Sequence, residues 1–278
     1  MLGDDVVIID GSWLARRSYH ANVALSNSKG NVGGVYTYVS SLIKLIREYD
    51  PKYCMACFDS PGVLEKKKAY SEYKANREPP DEGFLRQFPY MVLANEKFGI
   101  SNYFMEGYEA DDLIGTLVKR VDGRARWTLI ISSDKDMWQL VDRNVFVDSP
   151  RGRIVTHSVI EECGVHPEQI VHWKALVGDA SDNVTRFMGE KTAAKLLQEY
   201  GYLNGIYDNI DKISTRARNI LVDNREAIYR NAKIVKIVDN LPVEFPGEFS
   251  VNDDDVLKFL GDMEFPTLVN RFRNWRAM

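Results

Sequence analysis

Val6-Val7-Ile8-Ile9 is an unbroken apolar run that ends in Asp10. A strand with one wet face alternates apolar and polar residues, so an unbroken run predicts a strand covered on both faces, as in a parallel sheet. Tyr53 to Phe58 repeats the pattern and ends in Asp59. Trp127 to Ser133 repeats it again, with Asp134-Lys135-Asp136 at its end. Between these runs the apolar spacing changes to three and four. Val35, Val39, Leu42, Ile43 and Ile46 mark a helix stopped near Asp50-Pro51, Leu93 to Phe98 closes another, and Leu113 and Leu117, with Ile114 and Val118, open a third just after Glu109. Gly11-Ser12 reads as a turn and Ser26 to Asn31 as a loop. Ile100 to Phe104 suits a short strand, and Val145–Val147 with Arg153–Val155 suits a hairpin. Strands alternating with helices predict an α/β fold, a doubly wound, mainly parallel sheet. After Val155 the strands fade: residues 160–164, 167–178, 190–200 and 217–239 all carry helical patterns. The expected division is therefore an α/β half over residues 1–158 and a helical half over 159–278.

The 278 residues suit one large domain or two modest ones, and 45% hydrophobic with 27% charged is an ordinary soluble balance. No apolar run approaches the roughly 20 residues of a membrane span. The start, Met1 to Asp5, is acidic and lacks the basic region of a secretory signal, so a cytoplasmic location is expected. Cys54 and Cys57 lie in a strand, where they point to opposite faces; with Cys163 they read as buried thiols rather than zinc ligands. His20, His157, His166 and His172 form no triad with a nucleophile.

The candidate chemistry lies in the acids. Glu109-Ala110-Asp111-Asp112 places three carboxylates in the first turn of a helix, which by itself is ordinary, since a helix N-terminus favours negative charge. It does not stand alone. Asp10, Asp59, Asp134 and Asp136 follow strands, the place where open α/β sheets bind ligands, and Asp179 and Asp182 follow a helix. Like charges brought together repel unless something positive lies between them, and hard divalent cations with oxygen ligands meet that need. Without these nine, the 40 acidic residues become 31, against 36 Lys and Arg, so the net charge of −4 does not exclude a phosphate backbone as partner.

Two segments could hold such a partner. Residues 61–80 carry Lys66, Lys67, Lys68, Tyr70, Tyr73, Lys74 and Arg77 with few aliphatics, and Tyr70, Tyr73, Lys74 and Arg77 would share a helical face. That composition fits either a solvated surface helix or a mobile arm that meets nucleic acid with cations and rings. The loop after Asp182 leads to Gly189 and a helix bearing Lys191 and Lys195, a helix–loop–helix at about 173–200 with the shape of a phosphate dock.

These residues make the chain similar to the 5′-nuclease domain of bacterial DNA polymerase I and to the free-standing bacteriophage flap endonucleases. The similarity runs through Ile9-Asp10-Gly11-Ser12, Phe58-Asp59-Ser60-Pro61-Gly62 and Tyr73-Lys74-Ala75-Asn76-Arg77. It continues through Gly107 to Asp112, Ser133 to Asp136, Gly178 to Asn183 and Gly189 to Ala193. Each motif is weak, but the order and spacing together are specific, and they cover nearly the whole chain. With no polymerase region following, a stand-alone nuclease is expected.

The resemblance implies a PIN-like or resolvase-like nuclease core with a helical arch at about 61–90, then a helix-hairpin-helix region that binds DNA. It also implies two divalent cations, Mg²⁺ with Mn²⁺ as an alternative. Asp10, Asp59, Glu109, Asp111 and Asp112 resemble the first-metal group, and Asp134, Asp136, Asp179 and Asp182 the second. Lys74 and Arg77 match a basic pair that steadies charge on the reacting phosphate, and Asp134 faces both carboxylate groups. The partners implied are DNAs with 5′ ends: flaps, nicks, gaps and duplex ends, bound by a monomer through Lys66, Lys67, Tyr70, Tyr73, Lys74, Arg77, Arg186, Gly189, Lys191 and Lys195. Replication and repair both use this chemistry.

One departure bears on DNA binding. The family loop carries a Pro-Gly and several glycines, often with a monovalent cation, whereas this chain reads Val184-Thr185-Arg186-Phe187-Met188-Gly189. Fewer glycines restrict backbone approach, which leaves K⁺ at the loop open and makes Arg186 a candidate phosphate contact. Two other readings stand beside the nuclease: a DNA-structure-binding protein with vestigial activity, and a 5′ nuclease acting on RNA–DNA hybrids. All nine carboxylates speak against the first.

Overall fold

The computed structural model describes residues 5–21, 24–121 and 125–277. Residues 1–4, most of the stretch read above for a signal, lie outside the described residues. Strand β1 (Asp5–Asp10) is buried along its length, with Val6 and Ile8 in one core and Val7 and Ile9 in the other. Helix α1 (Gly11–His20) follows at once, where a turn was expected. Asp10 makes this abrupt change by capping the helix: its carboxylate accepts the Trp13 N–H at 2.9 Å. Position 11 has no room for a side chain, because a Cβ there would lie 2.5 Å from the Phe58 ring and 2.9 Å from the Cys57 carbonyl oxygen. That close approach locks the start of α1 against the neighbouring strand.

A short hairpin, β2 (Ser26–Asn27) and β3 (Gly30–Asn31), leads into α2 (Gly33–Tyr49). Then come β4 (Tyr53–Cys57), α3 (Glu65–Ala69), α4 (Glu82–Lys97), β5 (Ser101–Tyr103), α5 (Ala110–Val121) and β6 (Trp127–Ile131). A 3₁₀ turn over Lys135–Leu140 precedes the expected hairpin, β7 (Val145–Ser149) and β8 (Gly152–Ile154). The sheet order is β5–β4–β1–β6–β7–β8, parallel throughout except for the antiparallel β7–β8 pair. Parallel β1, β4 and β6 therefore end on the same edge, and Asp10, Asp59 and Asp134 follow those ends.

The rest is helical: α6 (Thr156–Cys163), α7 (Ile170–Val177), α8 (Glu190–Tyr200), α9 (Leu203–Asp208), α10 (Thr215–Asp223), α11 (Arg225–Val235), α12 (Asp253–Asp262) and α13 (Pro266–Arg276). The stretch expected to be helical over 217–239 is two helices, broken at Asn224. One face of the sheet is buried by α5 and the helices from α6 to α11, the other by α1, α2, α4, α12 and α13. The last two helices thus pack on α4 and α2, next to the α/β half. Cys54 and Cys57 lie in the two different cores, as their spacing in a strand requires. Among the described residues no helix is long and apolar enough to cross a membrane.

The basic segment departs from expectation. α3 ends at Ala69, and Lys74 has a left-handed backbone with φ of 52°, so Tyr70, Tyr73, Lys74 and Arg77 share no helical face. Instead the chain folds back on the loop after α7. The Lys74 N–H donates to the Asp182 carbonyl at 3.1 Å, and the amides of Asn76 and Asn183 donate to the Ala180 and Glu72 carbonyls. Tyr73 packs with Val184, Ile234 and Val235 in a small core of its own.

Candidate active site

All nine carboxylates gather where β1, β4 and β6 end, α5 begins and the α7–α8 loop crosses. Asp10 accepts from Trp13 N–H and from the Ser132 hydroxyl at 2.8 Å. Ser132 also receives the Asp134 N–H at 3.1 Å, so one buried hydroxyl orients two of the acids. Asp59 is held at its backbone by the Ser12 hydroxyl, and its carboxylate accepts the Ala110 N–H at 3.0 Å, one of the free donors at the start of α5. Asp134 caps the 3₁₀ turn by accepting the Asp136 N–H at 2.8 Å. One carboxylate oxygen from each of Asp111, Asp134 and Asp136 lies within 4.8 Å of the others.

Ion pairing divides the nine. Glu109 is paired with Lys74 and, at 3.2 Å, with Lys66; Lys66 also reaches Asp112 at 3.2 Å. Asp182 is paired with Arg77 at 2.7 Å and Lys74 at 3.7 Å, and the Tyr73 hydroxyl lies between Glu109 and Asp182 at 2.8 and 3.2 Å. Lys174, on α7, is paired with Asp136 and, at 2.8 Å, with Asp179. Among the described residues Asp10, Asp59, Asp111 and Asp134 form no ion pair with Lys or Arg. Nine carboxylates facing these four cations leave a formal −5, centred on the unpaired four.

The titration behaviour follows this division. Burial lifts Asp10 to about 7, and the charges of Asp59 and Asp134 add to the lift against the Trp13 and Ser132 hydrogen bonds. Burial, then Asp134, Glu109 and Asp10, push Asp111 well above the usual carboxylate range against the opposing charge of Lys74. Burial would raise Glu109 too, but Lys74 and Lys66 hold it down at about 2. A carboxylate lifted by burial and like charge is one whose ionised form wants an external cation.

The structure corrects several expected roles. Lys66, Lys74 and Tyr73 were expected to meet DNA, but the Lys66 and Lys74 side chains are 13% and 11% exposed, each between two carboxylates, and Tyr73 is 2% exposed. Asp112 was expected among metal ligands, yet its oxygens are taken by the Val238 N–H at 2.9 Å, by Lys66 and by the Glu109 N–H. Lys67, Arg77, Arg186, Lys191 and Lys195 are exposed, as DNA contacts require, and Tyr70 is half-buried beneath the Arg230 guanidinium, 4.6 Å from its ring centre. Gly189 is the N-cap of α8. The glycine-poor loop is pinned by a backbone bridge between Asp179 and Val184 and by the Phe187 and Met188 amides on the Leu176 carbonyl. Gly178 permits that turn: its φ is 73°, and a Cβ there would meet the Val184 carbonyl oxygen at 2.6 Å. A cleft of about 750 Å³ runs from Asp134 past Lys174 and Asp179 to Arg186 and Glu190.

Lys174 and Ser132 were not singled out from the sequence. For Lys174 a signal was there: a lysine inside Ile170-Val171-His172-Trp173-Lys174-Ala175-Leu176-Val177, an otherwise apolar helix, has to bury its charge or find a partner. Ser132 carries no such signal.

The comparisons with known proteins agree with this architecture. Residues 5–166 match the 5′-3′ exonuclease N-terminal resolvase-like domain, and residues 165–255 the 5′-3′ exonuclease C-terminal SAM fold. The chain is 32% identical over 273 residues to the thermostable DNA polymerase I of Thermus thermophilus, covering 96% of this chain and 33% of that protein. It is 33% identical over 281 residues to DNA polymerase I of Caldicellulosiruptor bescii, again covering 96% and 33%. The chain thus spans about a third of the length of these curated relatives. Among solved structures it is similar in fold to T5 5′-exonuclease with zinc bound (TM-score 0.71, 21% identity, 98% of each chain). It is also similar to the catalytic core of Rad2 in complex with a DNA substrate (TM-score 0.61, 16% identity, 94% of this chain and 88% of that one).

Proposed function

The chain belongs to the 5′-3′ exonuclease family, and from that membership we propose that it is a structure-specific 5′ nuclease, hydrolysing DNA phosphodiesters as a flap endonuclease and 5′→3′ exonuclease. The observation that carries the reading is the set of four carboxylates, Asp10, Asp59, Asp111 and Asp134, brought together without an ion pair to Lys or Arg among the described residues. Lys74 and Arg77 stand beside this set.

The donors fit hard divalent cations: all are carboxylate oxygens, without the sulfur or imidazole that softer metals select. Asp111, Asp134 and Asp136, flanked by Asp10 and Asp59, would hold one, and Asp179 with Asp182 would help hold a second. Two divalent charges would bring the formal −5 close to neutral. Mg²⁺ is the expected ion, with Mn²⁺ as the alternative. When bound, such ions activate a water and stabilise the leaving oxygen in phosphodiester hydrolysis. T5 5′-exonuclease has been solved with zinc, and the Rad2 core with DNA; the shared fold supports both ligand classes here.

The chain's own residues do the rest. Ser132 and the Trp13 N–H fix the Asp10 carboxylate, and Ser132 also holds the backbone of Asp134. Lys174 aligns Asp136 and Asp179 by pairing with both, and against burial its charge holds Asp179 below the usual carboxylate range. Lys74 and Arg77, now on Glu109 and Asp182, are within reach of a phosphate that approaches those acids, and would neutralise charge that develops on it. Exposed Arg186, Lys191 and Lys195 would grip the duplex backbone through side-chain charge.

End-labelled flap, nicked, gapped and single-stranded DNAs, with an RNA–DNA hybrid alongside, test the proposal in Mg²⁺ and in EDTA. Metal-dependent release of products from the 5′ side is expected. Binding of branched DNA without cleavage in any divalent ion would instead favour a DNA-structure-binding protein.

A further inference from the structure

We propose that Lys66 is a positioning residue: its ammonium, held between Glu109 and Asp112, docks the arch base on the start of α5 and takes no part in gripping DNA. This rests on the nuclease reading for its effect on turnover. Two chain segments meet at the ammonium, and a third is joined through Asp112. Lys66 itself sits on α3, and the same helix is tied down by the Glu65 N–H donating to the Gly107 carbonyl at 2.9 Å. Glu109 and Asp112 frame the first turn of α5, and the Glu109 N–H donates to Asp112. Asp112 in turn accepts the Val238 N–H, which brings in the segment after α11. Glu109 and Asp112 are 3% and 1% exposed, so neither can exchange Lys66 for water.

Charge decides what this contact does. Glu109, Asp112 and Asp182 carry three charges, and Lys66, Lys74 and Arg77 return three. The arch side of the site is therefore self-neutral, while the unpaired acids are Asp111 on α5 and the three that follow strand ends. Were Lys66 absent, Lys74 alone would compensate buried Glu109 while also serving Asp182, and buried Asp112 would lose its ion pair. It would then be held more firmly on the acids and be less available to a phosphate, and α3 would lose its anchor on α5. A buried ammonium already compensated by two carboxylates releases no counterions when DNA binds, unlike exposed Lys67 beside it.

The test compares Lys66→Met, Lys66→Arg and Lys67→Ala with the wild type. Three quantities are read: single-turnover cleavage in Mg²⁺, duplex affinity in Ca²⁺ over a salt series, and the rate of tryptic cleavage after Lys67, Lys68 and Arg77 without DNA. Lys66→Met should slow cleavage about 10–100-fold, the usual cost of losing an outer partner of a metal site, here the one that holds the helix turn carrying Asp111. Its slope of log affinity against log salt should match the wild type, and its arch should be cut faster by trypsin. Lys66→Arg should restore all three, and Lys67→Ala should flatten the slope. If the Met variant does not fold, Lys66→Gln, which keeps a hydrogen-bond donor, takes its place. A Lys66 variant whose slope flattens by about one unit would make Lys66 a phosphate contact and overturn the proposal. So would wild-type cleavage and trypsin rates. If the wild type itself cuts nothing, the nuclease reading fails, and the trypsin rates still decide whether Lys66 docks the arch.

Discussion

Asp10→Asn should stabilise the metal-free protein at alkaline pH. Asp10 is 4% exposed, and its carboxyl titrates at about 7 in the fold against 3.8 for an unperturbed aspartate. For an acid, a raised pKa means that folding favours the protonated form. Its contribution to stability is complete below about pH 4 and is lost as pH climbs through 7. Roughly three pH units at about 1.4 kcal/mol each set an upper limit of about 4 kcal/mol lost by pH 8. Asparagine is nearly isosteric: its oxygen can accept the Trp13 N–H, and its amide can meet Ser132, so the hydrogen bonds survive while the charge goes. Glu109, held at about 2, is ionised throughout the range and does not interfere. The expected result, from thermal unfolding in EDTA, is nearly equal melting below about pH 4 and a rise on the order of 5–10 °C for Asp10→Asn at pH 8.5, at a few degrees per kcal/mol. Added Mg²⁺ should raise the wild type and recover little in the variant, since a ligand stabilises only the state that binds it. Equal or lower melting of the variant at pH 8.5 in EDTA would refute the reasoning, because Asp10 would then carry no uncompensated charge.

Asp134→Asn should abolish cleavage while DNA binding survives, since one charge leaves the unpaired set and phosphate approach becomes easier; near wild-type cutting in Mg²⁺ would remove Asp134 from the metal site. Lys74→Ala should lower turnover by about 10²–10³ with little change in affinity, as for a donor that acts on developing charge. Single-turnover kinetics at saturating enzyme check this, and an unchanged rate with a large loss of affinity would make Lys74 a backbone contact. Arg186→Ala should flatten the salt slope of duplex binding by about one unit for any DNA sequence; titrations in Ca²⁺ read the slope, and equal slopes would leave the loop without a DNA role.

The strand ends were legible in the sequence because the signal is local. Val6 to Ile9 must be buried on both faces, and an acid after such a run has one place to go, the edge where the strand stops. The parallel sheet, the convergence of Asp10, Asp59 and Asp134, and the helix after Glu109 all follow from neighbours within a few residues. The cap that turns Asp10 straight into α1 did not, since Gly11-Ser12 reads equally well as a turn until the Phe58 ring is seen against Gly11. Nor did the pairing of charges. Lys66 and Lys74 meet Glu109 across about 40 residues of chain, and Arg77 meets Asp182 across 105. Side chains so far apart in sequence are matched only by packing, here the docking of Tyr73 on Val184, Ile234 and Val235. The sequence supplies the nine carboxylates and the four cations that face them, but tertiary contact decided which acids the protein neutralises for itself. Among the described residues Asp10, Asp59, Asp111 and Asp134 form no ion pair with a lysine or arginine, and that is decided by packing.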